Sequence, residues 1–213
     1  LEGQLPFPVY RVTAGNLATD SIEIRRSKKS GKLYQRNKIP MFVKSPDNTT
    51  GTIFRQCTSD YKVTPIIQFL RQYTAKAVTT QWMGISIDEA QRMRDSRHSW
   101  LLNRYPLIEQ RISRNDCLEW MDAKGYPKPP RSACVFCPYH SDVEWLRLRN
   151  EEPAEFQRAV EWERASQLAA QVDEVTRGEL FVHRSCVPLD QVTFRHENQP
   201  NMFGNECEGM CGV

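Results

Sequence analysis

Apolar residues recur at helical spacing in several stretches and cluster or alternate in others, and the change of period divides the chain into elements. From Ser59 or Asp60, Val63, Ile66, Ile67 and Leu70 fall on one side of a predicted helix. Asp88 to Arg94 forms a second. Ser113 caps a third through Met121, with Cys117, Leu118, Trp120 and Met121 on one side and Gly125 past its end. Ser141 caps a fourth carrying Val143, Trp145, Leu146 and Leu148. Pro153 opens a fifth, whose apolar side holds Phe156, Val160, Trp162 and Leu168.

Strands are predicted at Pro8 to Val12, at Ala77 to Ile85 with its glycine at Gly84, and at Glu179 to His183, and the short apolar Tyr105 to Ile108 suits a strand or the approach to one. Asn16 to Ile24 reads as a helix or loop. Residues 27 to 52 are polar and turn-rich, broken only by Ile39 to Val43, and read as a long, partly flexible excursion over a substrate site. Alternating strands and helices imply an α/β fold with a twisted, mainly parallel sheet flanked by helices. One domain is expected over 1–194, including a cysteine-bearing helical part at 113–170, with an irregular tail at 195–213.

Composition narrows the class. A chain of 213 residues can bury a proper core. It has no long apolar run, so no membrane partner and a cytoplasmic location are expected. The formal net charge of +3 does not by itself imply nucleic-acid binding, although arginines cluster at Arg25-Arg26 and between Arg92 and Arg97. The four histidines are scattered and none is assigned as a base, though His183-Arg184 after a strand could meet an anion.

The seven cysteines are odd in number, and Cys134 and Cys137 stand in Arg131-Ser132-Ala133-Cys134-Val135-Phe136-Cys137-Pro138. A secreted disulfide framework would pair evenly, so in a cytosolic chain the C-x-x-C turn points to a metal or redox site. One tight turn supplies two thiolates at small entropic cost, and Pro138 restricts its path. Cys117 lies on the helix before it, and Cys57 lies just before the Ser59 helix, where the N-terminal dipole and Arg55 favour a thiolate. Spacing alone leaves zinc, an iron–sulfur cluster and plain buried thiols all open.

Three blocks carry a resemblance: Arg55-Gln56-Cys57-Thr58-x-x-Tyr61-Lys62-x-x-Pro65, Trp82-Met83-Gly84-Ile85-x-x-Asp88-Glu89-x-x-Arg92, and Arg131-Ser132-x-Cys134-x-x-Cys137-Pro138. In order and spacing, over roughly residues 55 to 150, they resemble the phosphoadenosine phosphosulfate (PAPS) reductase-like family of the PP-loop adenine nucleotide α-hydrolase superfamily. The segments His183-Arg184-Ser185-Cys186 and Glu206-Cys207-Glu208-Gly209-Met210-Cys211 resemble the tail of bacterial and phage members.

The resemblance implies a nucleotide at the carboxyl edge of the strands and a 4Fe-4S cluster, with zinc as the alternative. In cluster-bearing members a Cys-Cys pair and a later Cys-x-x-Cys hold the iron. Here Thr58 follows Cys57, so Cys117 is the expected replacement and the ligand set is Cys57, Cys117, Cys134 and Cys137. Arg55 and Lys62 are the implied catalytic cations. Trp82, Gly84, Ile85, Glu89 and Arg92 are the implied cofactor-binding block, although Glu89 and Arg92 at i and i+3 also suit an ordinary ion pair.

Two departures qualify this picture. The Ser-Gly-Gly-x-Asp/Gln-Ser phosphate loop is absent from these residues, and the first residue is Leu1, so the loop is expected upstream. The tail also lacks the Glu-Cys-Gly-x-His motif of thioredoxin-dependent reductases, leaving Cys207 and Cys211 as a redox pair, a second metal pair or incidental thiols. The expected function is nucleotide-dependent sulfur transfer or nucleic-acid or nucleobase modification by a PP-loop-type sulfurtransferase or oxidoreductase. The alternatives are a thioredoxin-dependent PAPS or adenylyl-sulfate reductase and a zinc-stabilised non-catalytic binding module. Expected partners are an adenine nucleotide or sulfonucleotide, a nucleic acid, a sulfur-donor or redox protein, and a second copy of the chain.

Overall fold

The computed structural model describes residues 3, 5–75, 77–127, 133–173 and 178–195. Helices and small sheets are mixed. The described residues divide into two compact units, one formed by the stretch up to Ala14 together with 62–127, the other by 15–61 and 133–195.

The second unit is built around one apolar core. Helix α1 (Leu17–Ile22) starts at Asn16, whose side chain accepts from the amides of Ala18 and Thr19. Strands β1 (Ile24–Arg26) and β2 (Leu33–Gln35) pair antiparallel, and β3 (Phe42–Lys44) pairs antiparallel with β4 (Thr50–Thr52). The polar stretch from 27 to 52 therefore contributes to two hairpins. Its breakers make the turns: the Asp47 carboxylate accepts from the Thr49 amide at 3.0 Å and its hydroxyl at 2.6 Å, and Asn48 takes φ +63°.

Helices α5 (Asp142–Glu151) and α6 (Pro153–Gln171) pack on each other, and β7 (Glu179–Phe181) adds antiparallel to the other edge of β3. Met41, Trp145, Val160, Leu180, Val182 and Leu189 are essentially excluded from solvent between them. Some polar groups caught in this core are paired, while Ser21 Oγ, Gln35 Oε1 and Trp145 Nε1 find no hydrogen-bond partner among the described residues. The Glu163 carboxylate accepts from the amides of Val182 and Leu189, each at 2.7 Å, and so ties α6 to the chain on both sides of the turn after β7. Gln35 donates to Ser21 O at 3.0 Å and Ser166 Oγ at 2.8 Å. Gly178 has φ +116°, and a Cβ there would stand 2.6 Å from the Lys44 carbonyl oxygen, so no other residue fits without a shift.

The first unit holds the one parallel ladder among the described residues, β5 (Thr79–Trp82) with β6 (Leu101–Arg104), in register Thr79 to Leu101 through Trp82 to Arg104. Helices α2 (Thr64–Tyr73), α3 (Pro106–Glu109) and α4 (Arg114–Ala123) belong to it, with a short 3-10 segment at Ile87–Arg92 where a helix was expected. The stretch Tyr105 to Ile108, expected as a strand or the approach to one, is mostly α3. Pro106 at its first position has a fixed φ suited to a helix start, and the ladder ends just before it at Arg104. Pro8 to Val12 is not a strand either; its residues are largely exposed and Pro8 has no amide to donate to a ladder. Helix α4 begins as expected at Ser113, which forms a reciprocal capping box with Asp116, and ends before Gly125 at φ +69°.

Among the described residues no helix is long and apolar enough to cross a membrane. The α and β content agrees with the expected class. The parallel pairing is confined to β5 and β6, and the remaining described ladders are antiparallel.

Candidate metal centre

The Cys134 to Cys137 turn is closed by its own backbone. The Cys137 amide donates to Cys134 O at 3.0 Å and the His140 amide to Cys137 O at 3.1 Å. The His140 ring reaches back, its Nε2 standing 2.9 Å from Cys134 O. A carbonyl only accepts, so that nitrogen carries the proton. Ser141 then caps α5 through the Glu144 amide, and the His140 ring meets Trp145 edge-on at 4.7 Å, which fixes the turn to the core.

Cys57 arrives from another segment. Its amide and that of Gln56 both donate to Lys38 O, at 2.8 and 3.1 Å, and helical backbone starts at Cys57 itself. Lys38 braces the same loop, with Nζ on Gln56 Oε1 and 3.0 Å from Asp60 Oδ2. Cys57, Val135 and Phe136 pack against the apolar core of the unit.

These segments bring three thiols and one guanidinium together. Burial pushes the Cys137 thiol up, and the nearby Cys134 and Cys57 act in the same direction; the Tyr139 amide and the Arg55 charge pull the other way without overcoming it. Burial likewise raises Tyr139, opposed by Arg55 and reinforced by Cys137 and Cys57. Arg55 places its guanidinium carbon 5.3 Å from the Tyr139 ring centre and donates from Nη2 to Thr58 Oγ1 at 2.8 Å. Thr58, at the position where the resemblance led to a second cysteine, is thus buried as the partner of Arg55.

Of the expected ligands, Cys57, Cys134 and Cys137 lie in one unit, and Cys117 lies on α4 in the other. Three gathered thiols suit a soft metal in kind. Among the described residues, however, no three His, Cys, Asp or Glu side chains converge closely enough to hold an ion. Arg55 stands at the thiols. Lys62 is exposed in a π-helical turn (Ser59–Val63) and belongs to the other unit.

The expected cofactor block also lies in that other unit. Trp82 is 71% exposed at the carboxyl end of β5, Ile85 is buried, and a Cβ on Gly84 would meet nothing within 4 Å. Glu89 and Arg92 form an ion pair with each other. Arg131, Ser132, Cys207 and Cys211 lie outside the described residues.

Sequence reading missed Lys38, Tyr139 and His140 as parts of the thiol site. His140, three residues after Cys137, was visible as a potential brace for the turn. Lys38 carried no signal, because it acts through its carbonyl and a contact 18 residues away. The sequence matches no family model, and no curated protein or solved structure matches it significantly.

Proposed function

We propose that this chain is an iron–sulfur protein of the PAPS reductase-like type, acting in nucleotide-dependent sulfur transfer or in modification of a nucleic acid or nucleobase in the cytoplasm. The observation that supports this best is the gathering of Cys57, Cys134 and Cys137 with Arg55 in one unit. Cys57, Cys134 and Cys137 would hold the cluster. When bound, such a cluster supplies an electron or a site for sulfide.

The surrounding side chains have definite tasks in this reading. Thiols must lose their protons to bind metal, and the raised Cys137 thiol does so only against burial, so Arg55 offsets part of the negative charge that builds up there. The His140 ring holds the Cys134 carbonyl and keeps the turn closed. The parallel β5–β6 pair is compatible with the larger twisted parallel sheet proposed for the family. Nucleotide binding would depend on a PP-loop, which these 213 residues do not contain.

The test is iron and acid-labile sulfide on anaerobically purified protein, with an absorption spectrum, beside the Cys134→Ala, Cys137→Ala double variant. About four irons and four sulfides per chain, with a visible shoulder lost in the variant, are expected. Stoichiometric zinc instead would favour the zinc-stabilised binding module, and no metal at all would remove the centre from the proposal.

A further inference from the structure

After β7 the chain turns sharply at His183 to Cys186, closed by the Cys186 amide on His183 O at 3.1 Å, with Cys186 at φ +52°. The His183 ring faces Ser185 on one side: Nδ1 is 3.2 Å from the Ser185 amide and 2.8 Å from its hydroxyl oxygen. An amide N–H can only donate, so Nδ1 holds a lone pair and the ring proton sits on Nε2. Nε2 stands 3.3 Å from Asp142 Oδ1. His183 and Asp142 are 5% and 4% exposed, whereas Ser185 is exposed.

The order is carboxylate, neutral imidazole and accessible hydroxyl, with the tautomer fixed by the backbone. Asp142 is held ionised. Burial works against it, but the Arg195 amide at 3.1 Å, His183 and the Arg184 charge outweigh burial and keep it below its ordinary value. Arg184 places Nη2 on Asp142 Oδ1 at 2.8 Å, yet its side chain is 62% exposed directly beside Ser185. That leaves a cation facing solvent next to the hydroxyl.

We propose that Ser185 is a nucleophile, with His183 as its base and Asp142 as the positioning residue, acting on an ester whose acyl part carries an anionic group that Arg184 attracts. The proposal does not rest on the thiol site. Ser185 Oγ bonds the acyl carbon as the bond to the leaving alcohol breaks, and the hydroxyl proton passes to His183 Nδ1 and then to the leaving oxygen. Water, deprotonated by the same nitrogen, then releases the acid and restores Ser185. Ester and water give acid and alcohol, with no change of oxidation state.

The test uses the whole protein and an alkyl fluorophosphonate, which forms an Oγ–P bond as fluoride leaves, with the adduct located by tandem mass spectrometry. A positioned base accelerates such a step by about 100-fold or more, so Ser185 should label at least ~100-fold faster than the exposed Ser30 and Ser99 of the same molecule. Ser185→Ala should remove that adduct. His183→Asn, checked for folding by circular dichroism, should slow labelling by a similar factor. Because buried His183 variants risk unfolding, the wild-type pH profile is a second readout: the rate should rise with pH through one group titrating below 6.5, since burial lowers the His183 pKa despite Asp142. Labelling of Ser185 no faster than Ser30 and Ser99, or without that pH dependence, overturns the proposal and leaves a purely structural turn. Iron content, measured on the same preparation, fails or succeeds separately.

Discussion

Glu163 is 1% exposed and its two oxygens take the amides of Val182 and Leu189 at 2.7 Å each, so Glu163→Ala leaves two backbone donors without their acceptor. Each buried amide left unsatisfied costs about 1–3 kcal/mol, so the substitution should cost about 2–6 kcal/mol. Glu163→Gln keeps one acceptor and turns an amide NH2 toward the other donor, so about half of that loss is expected. Urea unfolding followed by tryptophan fluorescence suits the measurement, because Trp145 and Trp162 lie in the same core. The midpoint should fall with little change in slope. The pH dependence has a definite sign. Burial raises the Glu163 carboxyl above its ordinary value near 4.5, against the pull of the Leu189 and Val182 amides. Its contribution is therefore complete below that value and declines as pH rises through the folded pKa, so the gap between wild type and Glu163→Gln should narrow on going from acid to neutral pH. A loss under about 1 kcal/mol for Glu163→Ala would show that water reaches both amides and would refute the reasoning.

Three further perturbations read other parts of the molecule. Tyr61 is pushed up to about 12 by burial and by its hydrogen bond to Asp20 at 2.6 Å, so ultraviolet titration should show one late phenol that Tyr61→Phe removes; its stabilising share should be lost as pH rises from 10 toward 12. Ser113→Ala breaks the capping box of α4 and should cost about 1 kcal/mol in thermal unfolding, whereas Ser113→Asp should recover most of it. Gly178→Ala places a methyl 2.6 Å from Lys44 O at positive φ, and should lower stability by more than about 1 kcal/mol, measured by denaturant unfolding; a neutral result would mean that the β3–β7 edge shifts freely.

The longer helices α4, α5 and α6 were legible because their signals are local. Ser113, Ser141 and Pro153 each start a helix where the sequence places a cap or a first-turn proline, and Gly125 follows the end of α4, whereas Asn16 to Ile24 reads from sequence only as a helix or loop. The three-residue strands β1 to β4 were not legible, since so few positions cannot establish alternation, and three of them lie in the polar stretch 27 to 52. Their turn residues were recognised, but turns alone do not say whether the flanking chain pairs. Tyr105 to Ile108 misled for the opposite reason: its apolar composition suits a strand, while Pro106 sets the backbone for a helical turn. At the thiol site the residue types were readable, and their bracing through Lys38 O and the His140 ring was not, because both contacts end on backbone carbonyls.

That bracing bears on what the thiols can do. Cys57 and the Cys134 to Cys137 turn are each fixed by backbone hydrogen bonds that involve no sulfur, so their segments keep their shape without metal. If the proposed metal enters, the thiols would have to lose protons, but these two segments would not have to fold from an open loop. Arg55 bears on that proton loss, because its charge is the side-chain influence favouring the Cys137 thiolate against burial and the two neighbouring sulfurs. Thr58 holds Arg55 through one guanidinium nitrogen. A cysteine at position 58 would offer a further thiol at the expense of that hydroxyl contact. The sequence thus places a positioned cation where a second adjacent thiol would stand, which favours charge compensation over an extra protein ligand at this end of the site.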